Sequence, residues 1–106
     1  MIDIGVVYYR IKSTGNAIDA TWYTSRLDKN ETGSGIVKGD TTNCFPGNYI
    51  VTYIYPCGRE AGTFDLKIEK KGPIYELSYS KNGELLFIGV GIETPDGLAV
   101  GFRKTE

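Results

Sequence analysis

The chain matches itself. Slid by 57 residues, Gly5 meets Gly62, Ile11 meets Ile68 and Gly15 meets Gly72. Slid by 56, Gly33, Gly35, Ile36 and Asp40 meet Gly89, Gly91, Ile92 and Asp96. A repeat constrains architecture more than local propensity does, because each copy must form the same unit and bury its apolar face against its twin. At 106 residues there is room for one domain with one modest core. The expectation is a single domain of two halves, about 2–55 and 62–104.

Apolar residues alternate with polar ones at a period of two between turn signals, and no segment carries a convincing helical period. Eight strands are expected, at about 2–12, 17–25, 33–37, 48–55, 62–70, 73–80, 84–92 and 97–104. Gly15-Asn16, Gly72-Pro73, Asn82-Gly83 and Pro95-Asp96-Gly97 have steric reasons to bend. Residues 26–35 and 38–47 read as longer loops from their Gly, Asn, Asp, Ser and Thr content.

The alternation also suggests a register. With residue 69 opposite 74, Ile68 faces Tyr75, Leu66 faces Leu77 and Phe64 faces Tyr79, all on one face. Lys67 then faces Glu76, and Asp65 faces Ser78, on the other. Subtracting 57 gives a first hairpin pairing Ile11 with Ile18, Tyr9 with Ala20, Val7 with Trp22 and Arg10 with Asp19. A slip of one residue would mix the faces, so the pattern excludes it.

Each half thus holds a hairpin, a glycine-rich strand and a closing strand. The fold class expected is all-β: an eight-stranded antiparallel up-and-down barrel built from two four-stranded repeats. Closure removes the exposed edges of an open sheet. Paired glycines suit a tight bend or close packing beneath an aromatic ring. A flatter two-sheet clam is the alternative.

Composition excludes several function classes. A formal charge of −1 offers no basic stripe for phosphates, so no nucleic-acid partner is expected. No apolar run approaches the roughly 20 residues of a membrane-spanning helix. The start, Met1-Ile2-Asp3-Ile4, lacks the features of a signal peptide, which makes the cytoplasm the default expectation. There is no histidine, which removes histidine-based catalytic triads, haem ligation and histidine-containing zinc sites. Neither a metal site nor a cofactor is expected.

Gly47-Asn48-Tyr49-Ile50-Val51-Thr52-Tyr53, Gly62-Thr63-Phe64-Asp65-Leu66-Lys67-Ile68, Tyr75-Glu76-Leu77, Gly89-Val90-Gly91-Ile92 and Gly97-Leu98-Ala99-Val100 resemble a group of small bacterial β-domains of calycin-like type, similar in architecture to lipocalins and avidins. The resemblance covers residues 47–104 directly and the first half through the repeat. It implies a barrel with a general habit of binding a small apolar ligand. It does not imply biotin, whose avidin pocket uses several tryptophans where this chain has only Trp22, nor haem.

The barrel interior should be lined by Val7, Tyr9, Ile11, Ile18, Ala20, Trp22, Phe64, Leu66, Ile68, Tyr75, Leu77, Tyr79, Leu98, Val100 and Phe102. Tyr9, Trp22, Tyr75, Tyr79 and Phe102 are the candidate ligand contacts, because apolar pockets with a few polar anchors are how small-molecule sites are usually composed. Eight strands give an interior that either packs solid or holds one small ligand, and large rings on short strands favour the solid core. The loops at 26–35 and 38–47 are expected to share the rim.

Outward Tyr8 and Tyr23, and one face of the fourth strand (Tyr49, Tyr53 and Tyr55, or Ile50 and Ile54), suggest either a homodimer surface or ordinary strand tyrosines. Cys44 and Cys57 flank a strand extending about 3.3 Å per residue. That separation exceeds the roughly 7 Å limit between disulfide Cα atoms. Asp40 and Asp96 are explained by capped turns. Two functions are therefore carried forward. One is a non-catalytic binding protein for a small, mainly apolar molecule in the barrel cavity or mouth. The other is an interaction module acting through outward tyrosines around a solid core. An enzyme is not expected, since no acid, base and nucleophile assemble.

Overall fold

Alternating apolar residues need one dry face each, and eight such strands find it by curling around a common axis. The computed structural model describes residues 4–11, 17–24, 31–39 and 45–105. The described residues form β1 (Ile4–Ile11), β2 (Ala17–Thr24), β3 (Gly33–Gly39), β4 (Gly47–Ile54), β5 (Glu60–Lys71), β6 (Ile74–Lys81), β7 (Glu84–Thr94) and β8 (Gly97–Lys104). The eight expected strands are all present; β3 and β7 run two residues longer than the alternation suggested, and β5 three.

Each strand pairs antiparallel with the next, and β8 closes on β1 with Val100 opposite Val7. The sheet is a closed up-and-down barrel and not a two-sheet clam. Residues equated by the self-match share a face: Gly35 and Gly91 are buried, and Ile36 and Ile92 point outward.

The first hairpin has the expected register, with Val7 opposite Trp22, Tyr9 opposite Ala20 and Arg10 opposite Asp19. The second does not. Leu66 faces Tyr79, Ile68 faces Leu77, Lys67 faces Ser78, Asp65 faces Ser80 and Glu69 faces Glu76. The expected Lys67–Glu76 pair is therefore replaced by a 4.0 Å contact between Lys67 and Glu69 on one strand. The cause is a tighter turn than the four-residue loop assumed. Lys71 pairs directly with Ile74, leaving only Gly72 and Pro73 between them. Gly72 has φ 62°, and a proline ring holds its own φ near −65°, which together give the sign pattern of a type II′ turn. A shift of two residues keeps every side chain on its face, so the apolar pattern could not detect it.

All fifteen residues expected inside point inward. Twelve are buried, and Ile11, Phe64 and Phe102 are partly buried against them. Val37, Phe45, Tyr49, Val51 and Tyr53 complete the core. The fourth strand thus resolves with its tyrosines inward and Ile50 outward.

Candidate functional site

Successive turns of an up-and-down barrel alternate between its two ends, and the two ends of this one differ. At the end holding the β1–β2, β3–β4, β5–β6 and β7–β8 connections, Phe45 is folded in beneath the sheet. Its ring lies edge-on to Tyr75, 6.3 Å between centroids, and its carbonyl accepts a 2.9 Å bond from the Tyr49 hydroxyl. The Tyr75 hydroxyl donates to Glu93 at 2.6 Å. Among the described residues, Phe45 plugs this end.

The other end opens into a cup of about 440 Å³. Its walls are Trp22, Tyr55, Phe64, Phe87 and Phe102, its rim carries Ile4, Thr24 and Ala61, and Tyr53 and Tyr79 reach it from below. The rings brace one another edge to face. Phe64 and Phe87 are 5.7 Å apart at 84°, Phe87 and Phe102 are 6.0 Å apart at 84°, and Trp22 and Tyr53 are 5.6 Å apart at 64°. Such offset contacts hold aromatic walls in place beyond what area burial supplies. The Trp22 indole N–H donates to the Ser34 carbonyl at 2.7 Å, which fixes that ring. Arg59 stands 5.8 Å from the centre of the Tyr55 ring and Lys81 5.8 Å from that of Phe64. The aromatic walls thus carry two cations.

Beneath the cup lies a cluster of three hydroxyls. Tyr9 is fully buried, and its oxygen is 2.6 Å from that of Tyr53 and 2.6 Å from that of Tyr79. A buried hydroxyl needs a partner, and these supply one another from β1, β4 and β6. Burial pushes all three above the ordinary tyrosine range: Tyr9 and Tyr53 well above it, and Tyr79 up to about 12. The electrostatic repulsion of neighbouring phenolates adds to the rise at Tyr9 and Tyr53. The three are therefore fixed as neutral phenols.

Of the five expected contacts, Trp22, Tyr79 and Phe102 meet at the cup. Tyr9 lies one layer deeper and reaches the cup only through its two hydroxyl partners. Tyr75 is at the plugged end. The expected solid core describes the lower half of the barrel, whereas the upper half is open. The two expected rim loops fall largely on residues 25–30 and 40–44, outside the described residues; the strand ends that flank them, Thr24 and Gly33 for one and Gly39 and Gly47 for the other, lie at opposite ends of the barrel.

Sequence reasoning missed Tyr53, Tyr55 and Phe87. On β4 both alternating sets are apolar, and the deciding signal is Thr52, which lies in phase with outward Ile50. On β7 the run Leu85-Leu86-Phe87-Ile88 has no period, and a bulge at Tyr79/Ser80 shifts its phase against β6.

The outer surface has its own apolar face. Val6 and Val90 both pair with Gly101, and Tyr8 and Ile92 both pair with Ala99. Val6, Val90 and Ile92 are about 60% exposed (59%, 60% and 63%). Tyr8 is pinned at one end of this face, where its hydroxyl donates to Asp96 and lies 2.6 Å from the Thr94 hydroxyl. Asp96 does cap its turn, with the Thr94 hydroxyl also donating to it at 3.3 Å.

Cys57 is a free, exposed thiol. Cys44 and Asp40 lie outside the described residues, as does any pairing of Cys44. Among the described residues no helix is long and apolar enough to cross a membrane. No family model matches the chain, and neither does any curated protein or any solved structure.

Proposed function

We propose that this chain is a non-catalytic binding protein whose open barrel end takes one small, mainly apolar molecule. The observation carrying this reading is the 440 Å³ cup, walled by aromatic rings and floored by phenol hydroxyls. That volume falls within the range of small-molecule pockets, as does the composition: apolar walls with few polar groups. The plugged far end supports a one-mouthed container. The neutral, hard-to-ionise phenols suit hydrogen-bond donation and are poor proton acceptors, which favours binding over acid–base chemistry. The calycin-like reading of the barrel, an analogy of fold alone, points the same way.

Trp22 is the only tryptophan and stands in the cup wall, so its emission reports occupancy. Titration with naphthalene-sized aromatic molecules should change that emission along one saturable curve. Emission unchanged up to the solubility limit of every such probe would sink the reading. Native mass spectrometry of protein purified from its own cell would then show the natural ligand as added mass.

A second reading, self-association, is favoured by the outer apolar face. Arg103 flanks it at the cup end, where it neighbours Ile4 and Ile88, and Arg10 pairs with Asp19 beyond its far end. A twofold axis through Gly101 would set Val6 and Val90 of the two copies against each other at its centre. Light scattering decides it: a mass equal to one chain at all concentrations excludes this reading and leaves the first intact.

A further inference from the structure

We infer that the molecule taken by the cup is an amphipathic organic anion, an aromatic or alkyl carboxylate, seated apolar end first with its charge at the mouth against Arg59 and Lys81. The inference rests on the binding reading above and adds the chemical class of the ligand.

Among the described residues, the deep part of the cup has no side-chain donor to spare. The three phenols close on one another: Tyr9 bonds to Tyr53 and Tyr79, and those two also bond to each other. The Trp22 N–H is taken by the Ser34 carbonyl. The remaining deep walls, Phe64, Phe87 and Phe102, are hydrocarbon. A polar group pushed inward would lose its water and find no partner, which is costly. The inner end of the ligand is therefore apolar.

The mouth differs, and two turns make it so. Between β4 and β5 the Tyr55 carbonyl accepts from the Gly58 N–H at 2.8 Å, and the Tyr55 N–H donates to the Arg59 carbonyl at 2.8 Å. Gly58 makes the turn possible with φ 95°, a conformation open to glycine. The tie sets Arg59 beside Tyr55. A register shift opposite Tyr53 and Ile54 then skips Ala61, which joins the rim two residues after Arg59. Between β6 and β7, Asn82 and Gly83 both have positive φ, as a two-residue type I′ turn requires. Lys81 therefore ends β6 two residues after Tyr79, on the same inward face.

Both cations lie over rings of the cup wall, Arg59 over Tyr55 and Lys81 over Phe64. Attraction to the ring face keeps each charge at the mouth. They share one sector of it, since Arg59 leads into β5 and β6 is the next strand. Among the described residues, neither stands within ion-pair distance of a carboxylate. Glu60 accepts from the Thr63 hydroxyl at 3.3 Å, and only Glu84 faces Lys81 across its turn. Two cations against one facing carboxylate, set over low-dielectric walls, draw an anion.

Two probes of matched shape test this: 2-naphthoate and its neutral counterpart 2-naphthamide, titrated by calorimetry at low ionic strength. The wild-type protein should bind the carboxylate about three- to tenfold more tightly, and added salt should shrink the ratio. Arg59 and Lys81 are exposed, so a variant carrying Arg59→Gln and Lys81→Gln together should fold normally. It should bring the ratio to about one while binding naphthamide as wild type does. A third probe, 6-hydroxy-2-naphthoate, leads with a hydroxyl and should bind more weakly than 2-naphthoate. Equal binding of carboxylate and amide to wild type would overturn the inference, as would a preference that survives in the double variant. Equal or tighter binding of the hydroxylated probe would overturn the seating. Each of these results leaves the cup a binding site, whereas failure of every probe to bind would count against the binding reading itself.

Discussion

Gly33 lies directly beneath the indole of Trp22, so a Cβ there would run into the ring at Cε2 and Nε1 while the Ile54 carbonyl, 2.6 Å away, blocks retreat on the other side. The glycine is what lets the wall of the cup lie flat against the sheet. Gly33→Ala should therefore cost about 1–3 kcal/mol, the usual range for overpacking, and lower Tm by several degrees. It should also push the indole off its Ser34 carbonyl, seen as a change in tryptophan emission. A variant with wild-type Tm and emission would show that the ring has room to move.

Stability should fall above about pH 10 because of the three floor phenols. Their folded pKa values are raised from the ordinary 10.0, that of Tyr79 to about 12. Below the ordinary value both folded and unfolded chains keep these protons and the contribution is fully present. As pH rises toward the folded values only the unfolded chain releases them, and stability drops by up to about 1.4 kcal/mol per pH unit for each phenol. Denaturant melts across this window should show the slope, and a variant carrying Tyr9→Phe, Tyr53→Phe and Tyr79→Phe together should flatten it. Phenolate absorbance from all eight tyrosines in a still-folded protein would contradict the burial of the cluster.

The Asp96 carboxyl should owe its lowered pKa mainly to the hydroxyl of Tyr8. The hydroxyl of Tyr8 is the main cause holding this exposed carboxyl below its ordinary 3.8, with the Thr94 hydroxyl, its own backbone amide and the charge of Arg10 helping. A depressed folded value means a contribution present above 3.8 and lost as pH falls through the folded pKa. In Tyr8→Phe, carbon-13 NMR of the Asp96 carboxyl should show its midpoint moving up toward 3.8. An unmoved midpoint would assign the depression to the turn backbone.

How much of this was legible in sequence depends on the question. Face identity was: Val7, Tyr9, Trp22 and Tyr79 all point inward, because alternation has the same period as the strand. Register was legible for β1–β2 but not for β5–β6, since a two-residue shift leaves alternation untouched and only the turn, closed by Gly72 at positive φ, decides it. The contrast between the ends was not legible. Phe45 precedes β4 and has no alternating neighbours, so nothing local marks it as a plug. The hydroxyl cluster joins residues 44 and 70 apart in sequence, a meeting that only strand stagger around a closed barrel sets.

Phe45 therefore makes a demanding test of the one-mouthed barrel. Its ring is 4% exposed and is the edge partner of Tyr75. Phe45→Ala should cost about 3–5 kcal/mol by denaturant unfolding, as expected when a buried phenylalanine leaves a cavity behind. The backbone bond from Tyr49 to its carbonyl does not depend on the side chain, so the loss should come from packing alone. Phe45→Leu, which keeps most of the volume, should recover the larger part of it. A loss below about 1 kcal/mol in the alanine variant would mean that this end closes without the ring, and the barrel would then be open at both ends.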